Sequence, residues 1–250
     1  MRRWHLVVVL GALVLALGGS GCGEDGGGSE GEGEGEGEGA EGEGEGGEPL
    51  SGFGLLSGEC GVLDDELTSA GSALVLNHLD FGSDPYDEAD RDLLSPGGQE
   101  ILADGNAGGG SLLSEVFAYE VLYRCEGAEL LKTETEIVYE GQGKLTDLLV
   151  GLDGLKIGVS VTRAVGWPRE DPYPVDRAKA LLEDKLSDVQ ASSGHVAAED
   201  RWAKQILHVI AYGEGHAESV RTAFTQIDEG ILGDTVVVVT VTDGDDAFLY

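Results

Sequence analysis

The chain has 250 residues, with 48 Asp or Glu against 15 Lys or Arg and a formal charge of −33 at pH 7. Residues 51–250 alone hold 13 basic against 37 acidic side chains, a formal −24, so the acidity is not confined to one end. A surface of that sign repels phosphate backbones, which argues against a broad nucleic-acid-binding face and leaves room only for a locally focused or metal-filled cleft.

The chain opens MRRWHLVVVLGALVLALGGSGCG, in which Arg2 and Arg3 precede an apolar run from Leu6 to Leu17 and a patch of small residues ending at Cys22. The run is too short to cross a bilayer as a helix, and with its basic start it predicts a secretory signal over residues 1–21. Leu17-Gly18-Gly19-Ser20-Gly21-Cys22 resembles the lipobox of bacterial lipoproteins, with Gly19 where that motif usually has leucine. The resemblance implies acylation of Cys22, a membrane partner reached through that lipid, and an exported protein held at the cell envelope. Ordinary signal cleavage near Gly21, with Cys22 free, is the alternative. Residues 22–49 alternate glycine with glutamate and contain no large apolar side chain, so they predict a disordered tether extended by its own charge.

Residues 50–110 are rich in Gly, Asp, Ser and Pro and predict a loop-rich extension with one strand, SALVLNHLDF. The acidic loop GSDPYDEADRD lacks the glycine and terminal glutamate of an EF-hand loop, and DGNAGGGS lacks the GK[ST] of a phosphate-binding loop. The second is read as a lead-in with Ser111 as helix N-cap. With Cys22 assigned to lipid, Cys60 and Cys125 remain, and in an oxidising compartment such a pair predicts a disulfide.

From residue 111 to 250 the periodicity sharpens into a core. SLLSEVFAYEVLYRC has helical spacing, with Glu120 between Phe117 and Val121 on the largely apolar side and Glu115 nearer the polar side. Three strands follow, AELLKTETEIVYE, KLTDLLVGL and LKIGVSVTRA, separated by the turn signals GQG and LDG. In the third, Ile157, Val159 and Val161 point one way and Gly158, Ser160 and Thr162 the other. The loop GWPREDPYP forms a rim before VDRAKALLEDKLSDVQ, whose Val175, Ala178, Leu182, Leu186 and Val189 make one helical stripe. A strand KQILHVIAY, a helix GHAESVRTAF and a final strand DTVVVVTVTD, apolar enough to be buried on both faces, complete the order αβββαβαβ. This predicts an α/β fold with a mixed β-sheet flanked by helices.

An acidic helix, a hairpin bearing Asp147 and a strand of alternating valines resemble the restriction-endonuclease-like core of the PD-(D/E)XK nuclease-like superfamily over residues 111–242. Thr146-Asp147 and Gly158 to Ala164 also resemble a "TD…GVSVTRA" block found in a group of proteins without an established activity. The nuclease resemblance implies carboxylates around Mg or Mn, and a lysine beside the attacking water. Carried over residue by residue, Glu120 is the candidate helix acid and Asp147 the strand acid. On the third strand Ser160 stands where the second acid belongs and Thr162 where the lysine belongs, and hydroxyls supply neither charge. Arg163 is the nearest cation, on the opposite face from Ser160 unless a bulge turns the strand. Glu134 and Glu136 on the first strand, and Lys185 in the second helix, are candidate replacements, with a solvated strand face and a snorkelling lysine as their alternatives.

Two readings follow. One is a non-enzymatic binding or structural module; the other is an extracytoplasmic phosphodiesterase with Glu120, Glu136 and Asp147 on the ion and Ser160, Thr162 and Arg163 or Lys185 at the phosphate. His78, His195, His208 and His216 show no metal-ligand spacing, and His208 reads as a strand residue with a satisfied ring. Trp167 and Trp202 read as rim or core aromatics, and no GxSxG is present.

Overall fold

The computed structural model describes residues 54–107 and 110–250. The expected signal segment, Cys22 and the Gly/Glu tether lie outside the described residues. Seven strands form a single mixed sheet in the order β1-β2-β7-β6-β5-β4-β3. They are β1 (Leu55–Gly58), β2 (Ala73–Asp80), β3 (Glu129–Thr133), β4 (Leu148–Leu152), β5 (Leu155–Ala164), β6 (Lys204–Tyr212) and β7 (Val236–Asp243). β2, β7, β6 and β5 run parallel to their neighbours, while β1 at one edge and β4 and β3 at the other pair antiparallel.

The helices are α1 (Pro96–Asp104), α2 (Leu112–Glu126), α3 (Val175–His195), α4 (Gly213–Phe224) and the one-turn α5 (Glu229–Leu232). From α2 to β7 the expected αβββαβαβ order is present, with α5 inserted before the last strand. The α/β class, a mixed sheet flanked by helices, and the expected element order therefore hold.

Local chemistry explains the joints. β4 and β5 meet at Leu152↔Leu155 across Asp153-Gly154, which have φ of 49° and 76°. A two-residue turn with both central residues at positive φ is the kind that matches strand twist, and Asp-Gly tolerates it. β7 lies between β2 and β6, so seven of its eight residues are buried, as its unbroken β-branched run predicts.

The sheet carries a different helix layer on each face. Phe117, Val121 and Leu122 of α2 pack with Leu148, Val150, Ile157, Val159 and Ile206 on one side. Ala178, Leu182, Leu186 and Val189 of α3 join Ala217 and Val220 of α4, Leu207, Val209 and Val239 on the other. Gly158 has a packing reason: a Cβ there would lie 2.8 Å from the Trp202 ring.

Three expectations are corrected. The loop-rich reading of residues 50–110 misses β1 and α1, and both β1 and β2 belong to the main sheet. The strand expected over AELLKTETEIVYE ends at Thr133, where Glu136 N–H bonds back to the Thr133 carbonyl at 3.1 Å and its carboxylate accepts from Thr133 N–H. Beyond this turn the chain leaves the sheet: it pairs with the end of α3 through a Tyr139–Val196 bridge, Glu140 N–H donates to the His195 carbonyl at 2.7 Å, and Ile137 packs with Leu149, Val196 and Trp202. Ser111 precedes α2, but its hydroxyl donates to Glu115 instead of capping a backbone N–H. The Sγ atoms of Cys60 and Cys125 stand at disulfide distance, 2.00 Å, tying the segment after β1 to the end of α2.

Candidate functional site

The site gathers where β4 begins, β3 ends and α2 starts. Extending the β4–β5 register by one step sets Asp147 across from Ser160, and Asp147 N–H donates to the Val159 carbonyl at 3.1 Å. The Asp147 carboxylate accepts from Val161 N–H at 2.7 Å. Ser160 and Thr162 share the face of β5 that carries Gly158 and Ala164, the face covered by α3. The β5–β6 register is unbroken from Ile157 to Ala164, so no bulge turns Arg163 to join them. Its guanidinium instead donates to the Leu249 carbonyl at 2.8 Å.

Asp147 as a residue is half-buried, but its carboxyl is packed away from water, and this pushes its pKa up to about 7. The negative charges of Glu115 and Glu134 push the same way, while Val161 N–H and the Lys185 charge oppose them. Burial also raises Glu115, with Glu134 adding to it, although Asn106 and Ser111 donate to its carboxylate. The acids that act on Asp147 are thus Glu115 and Glu134.

Glu120 is elsewhere. Five residues along a helix turn the side chain by about 500°, some 140° away from Glu115. Its carboxylate is fully buried and accepts from Ser95 N–H at 2.8 Å, Ser95 hydroxyl at 2.6 Å and Arg124 Nε at 3.1 Å. Glu136 is also diverted. After the turn at Thr133 it joins Glu100 and Asp104 of α1, the one group of three acids among the described residues whose ligand atoms all lie within 4.8 Å of one another. That trio is exposed, and nothing else there marks a ligand. Glu115, Glu134 and Asp147 are spread more widely.

Lys185 lies 3.7 Å from Asp184 and 3.6 Å from Asp188 in ion pairs on α3, and its charge still reaches Asp147. Of the candidate set, then, the structure brings Asp147 across from Ser160 with Lys185 at the margin, carries Thr162 two residues further along β5 to line a cavity with Arg163, and separates Glu120 and Glu136 from them. It adds Glu115 and Glu134. The latter accepts from Ala107 N–H at 2.8 Å. Their chemistry is that of hard oxygen donors, compatible with Mg or Mn, but no lysine or third-strand acid completes the set.

Of the other singled-out residues, His208 is buried, bonds Thr240 through Nε2 at 2.7 Å and has no partner for Nδ1 among the described residues. Its ring is satisfied on one side only, and burial drives its pKa down to about 3. Trp202 is a core residue at 8 % exposure and Trp167 a rim residue at 84 %.

No family model matches the chain. A Dictyostelium discoideum protein described as "AAC-rich mRNA clone AAC4 protein" is 39% identical over 153 residues, which cover 59% of this chain and 22% of that protein. The chain therefore spans about a fifth of the length of that relative. The structure of Pyrococcus furiosus SfsA in complex with Ca2+ aligns with a TM-score of 0.26 and 14% identity, covering 54% of this chain and 58% of that one. An overlap so loose carries no functional argument.

Proposed function

We propose that the protein is an exported, lipid-anchored component of the cell envelope whose nuclease-like domain works as a binding or structural module without catalysis. The observation that carries this reading is the pairing of Asp147 with Ser160: the strand that should bring a second acid and a lysine brings two hydroxyls. A phosphodiester transition state needs charge stabilised at both the attacking and the leaving oxygen. Here Arg163 is turned to a main-chain carbonyl and Lys185 is held by two aspartates.

The second reading, a phosphodiesterase dependent on Mg or Mn, has one observation in its favour. Three acids act on one another at the start of β4, and a divalent cation would relieve their repulsion. Calorimetric titration of the full chain with Mg2+ and Mn2+, beside Asp147→Ala, separates the two. The module reading requires no heat beyond dilution. Saturable heat in the wild type that Asp147→Ala abolishes would overturn it.

The anchor rests on the LGGSGC stretch ahead of Cys22, and residues 22–49 would then hold the domain off the membrane. Metabolic labelling with a palmitate analogue is expected to tag the protein, and Cys22→Ser to abolish the tag. Labelling that persists in the variant refutes the lipid assignment.

A further inference from the structure

Away from Asp147, the carboxyl ends of the parallel strands β5 and β6 lie under the loop that links β5 to α3, and two cavities open there. Crevices at that end of parallel strands are where open α/β sheets hold ligands. The first, about 440 Å3, is lined by Tyr173, Tyr212 and His216 with the carboxylates of Glu170 and Asp171. The second, about 370 Å3, is lined by Thr162, Arg163, Trp167, Arg169 and Tyr250. Both volumes fall in the range of about 300–1,000 Å3 usual for small-molecule sites. The rings of Tyr212 and Tyr250 meet edge to face at 5.4 Å between them, so one aromatic wall serves both.

The lining is unusual in three respects. Trp167 leaves 84 % of its surface exposed, a flat apolar face at the rim. His216 is nine-tenths buried, stacks on Tyr173 at 5.0 Å and has no hydrogen-bond partner for Nε2 among the described residues. Loss of water lowers its pKa, with the nearby Arg177 charge adding to the effect. Finally, Arg163 and Arg169 each give a hydrogen bond to a main-chain oxygen, of Leu249 and Tyr250, which fixes the guanidinium groups and leaves other N–H donors to the cavity.

Charge then selects the ligand. An anion would suit the arginines but must enter a domain of formal charge −24 and meet Glu170 and Asp171. A cation would suit those carboxylates but face two guanidinium groups in the adjoining cavity. A neutral ligand whose polar groups are each donor and acceptor satisfies both halves, and hydroxyls have that property. Flat apolar ring faces set between those hydroxyls match Trp167 and Tyr212. We propose that these paired cavities bind a neutral saccharide of two or three units, an inference that rests on the binding-module reading.

Saturation-transfer NMR on the full chain with maltotriose, cellotriose and tri-N-acetylchitotriose tests it. At least one sugar should receive saturation with a Kd at or below about 1 mM, the weak end of specific binding. Trp167→Ala, at an exposed position the fold does not need, should weaken it at least ten-fold, and Arg169→Gln should weaken it too. Choline and phenyl phosphate should not displace the sugar. No transfer to any of the three sugars, undiminished binding by Trp167→Ala, or displacement by either charged probe overturns the proposal. Metal-dependent heat lost in Asp147→Ala would remove the module reading on which this site rests, whereas a flat sugar titration without such heat would sink this site alone.

Discussion

Replacing Glu120 by alanine will lower the unfolding free energy by about 3–5 kcal/mol, the cost of breaking a buried charged pair by removing one partner. Glu120 has no exposed surface, and Arg124 at 3.1 Å retains only a fifth of its side-chain surface. The carboxylate also takes the hydroxyl proton of Ser95, which turns that oxygen's lone pair toward Gly98 N–H at 3.1 Å and so caps α1. Alanine therefore strands an arginine, a buried N–H and a helix cap together. Gln keeps an acceptor for Ser95 but loses the charge, so Glu120→Gln should cost less, about 1.5–3 kcal/mol. Since domains of this size have only about 5–15 kcal/mol to lose, both shifts are visible as a lower denaturation midpoint in urea. A cost below about 1 kcal/mol for Glu120→Ala would refute this structural role.

This position also shows where reading the sequence reaches its limit. α3 has one face on the core and one in water, so its stripe of Ala178, Leu182, Leu186 and Val189 is plain in the spacing. α2 is enclosed differently: every residue from Ser114 to Leu122 is buried, because α1 packs on it in addition to the sheet and the Leu249 carbonyl accepts from Ser114. In such a helix the polarity of neighbouring residues does not tell which acid faces which partner, and Glu115 and Glu120 look interchangeable. Only the neighbours, Asn106 and Ser111 for one and Ser95 and Arg124 for the other, separate them.

The hairpin and the final strand were readable because their determinants are local, an Asp-Gly turn and a β-branched run. β1 was not, since it is held by β2 about 20 residues later, with little pattern of its own. Glu134 and Glu136 look like one strand face by alternation. The turn that Glu136 closes on Thr133 sends one toward Asp147 and the other toward α1.

The second large effect depends on pH. Asp147 is raised to about 7 in the folded chain, against about 3.9 in an unfolded one. Below the unfolded value both states hold the proton and nothing is lost. As pH rises, the unfolded chain releases it first, and stability falls by about 1.4 kcal/mol per pH unit until the folded carboxyl ionises near pH 7. The sum approaches about 4 kcal/mol, and partial access of water to this half-buried residue reduces it to about 2–3 kcal/mol. Asp147→Asn stays neutral throughout and keeps an oxygen for Val161 N–H. The variant should therefore match the wild type near pH 4 and exceed it by about 2–3 kcal/mol at pH 8, measured by urea unfolding. His208, lowered to about 3, works the other way: the unfolded chain takes up its proton first, so stability is lost as pH falls below about 6.5. That loss is common to both proteins and cancels in their difference. A variant less stable at pH 8, or a difference that does not change with pH, would show that the Asp147 carboxyl is well solvated. If added Mg2+ closes the gap at pH 8 by stabilising only the wild type, the ionised acids are holding a cation and the module reading gives way to the metal-dependent one.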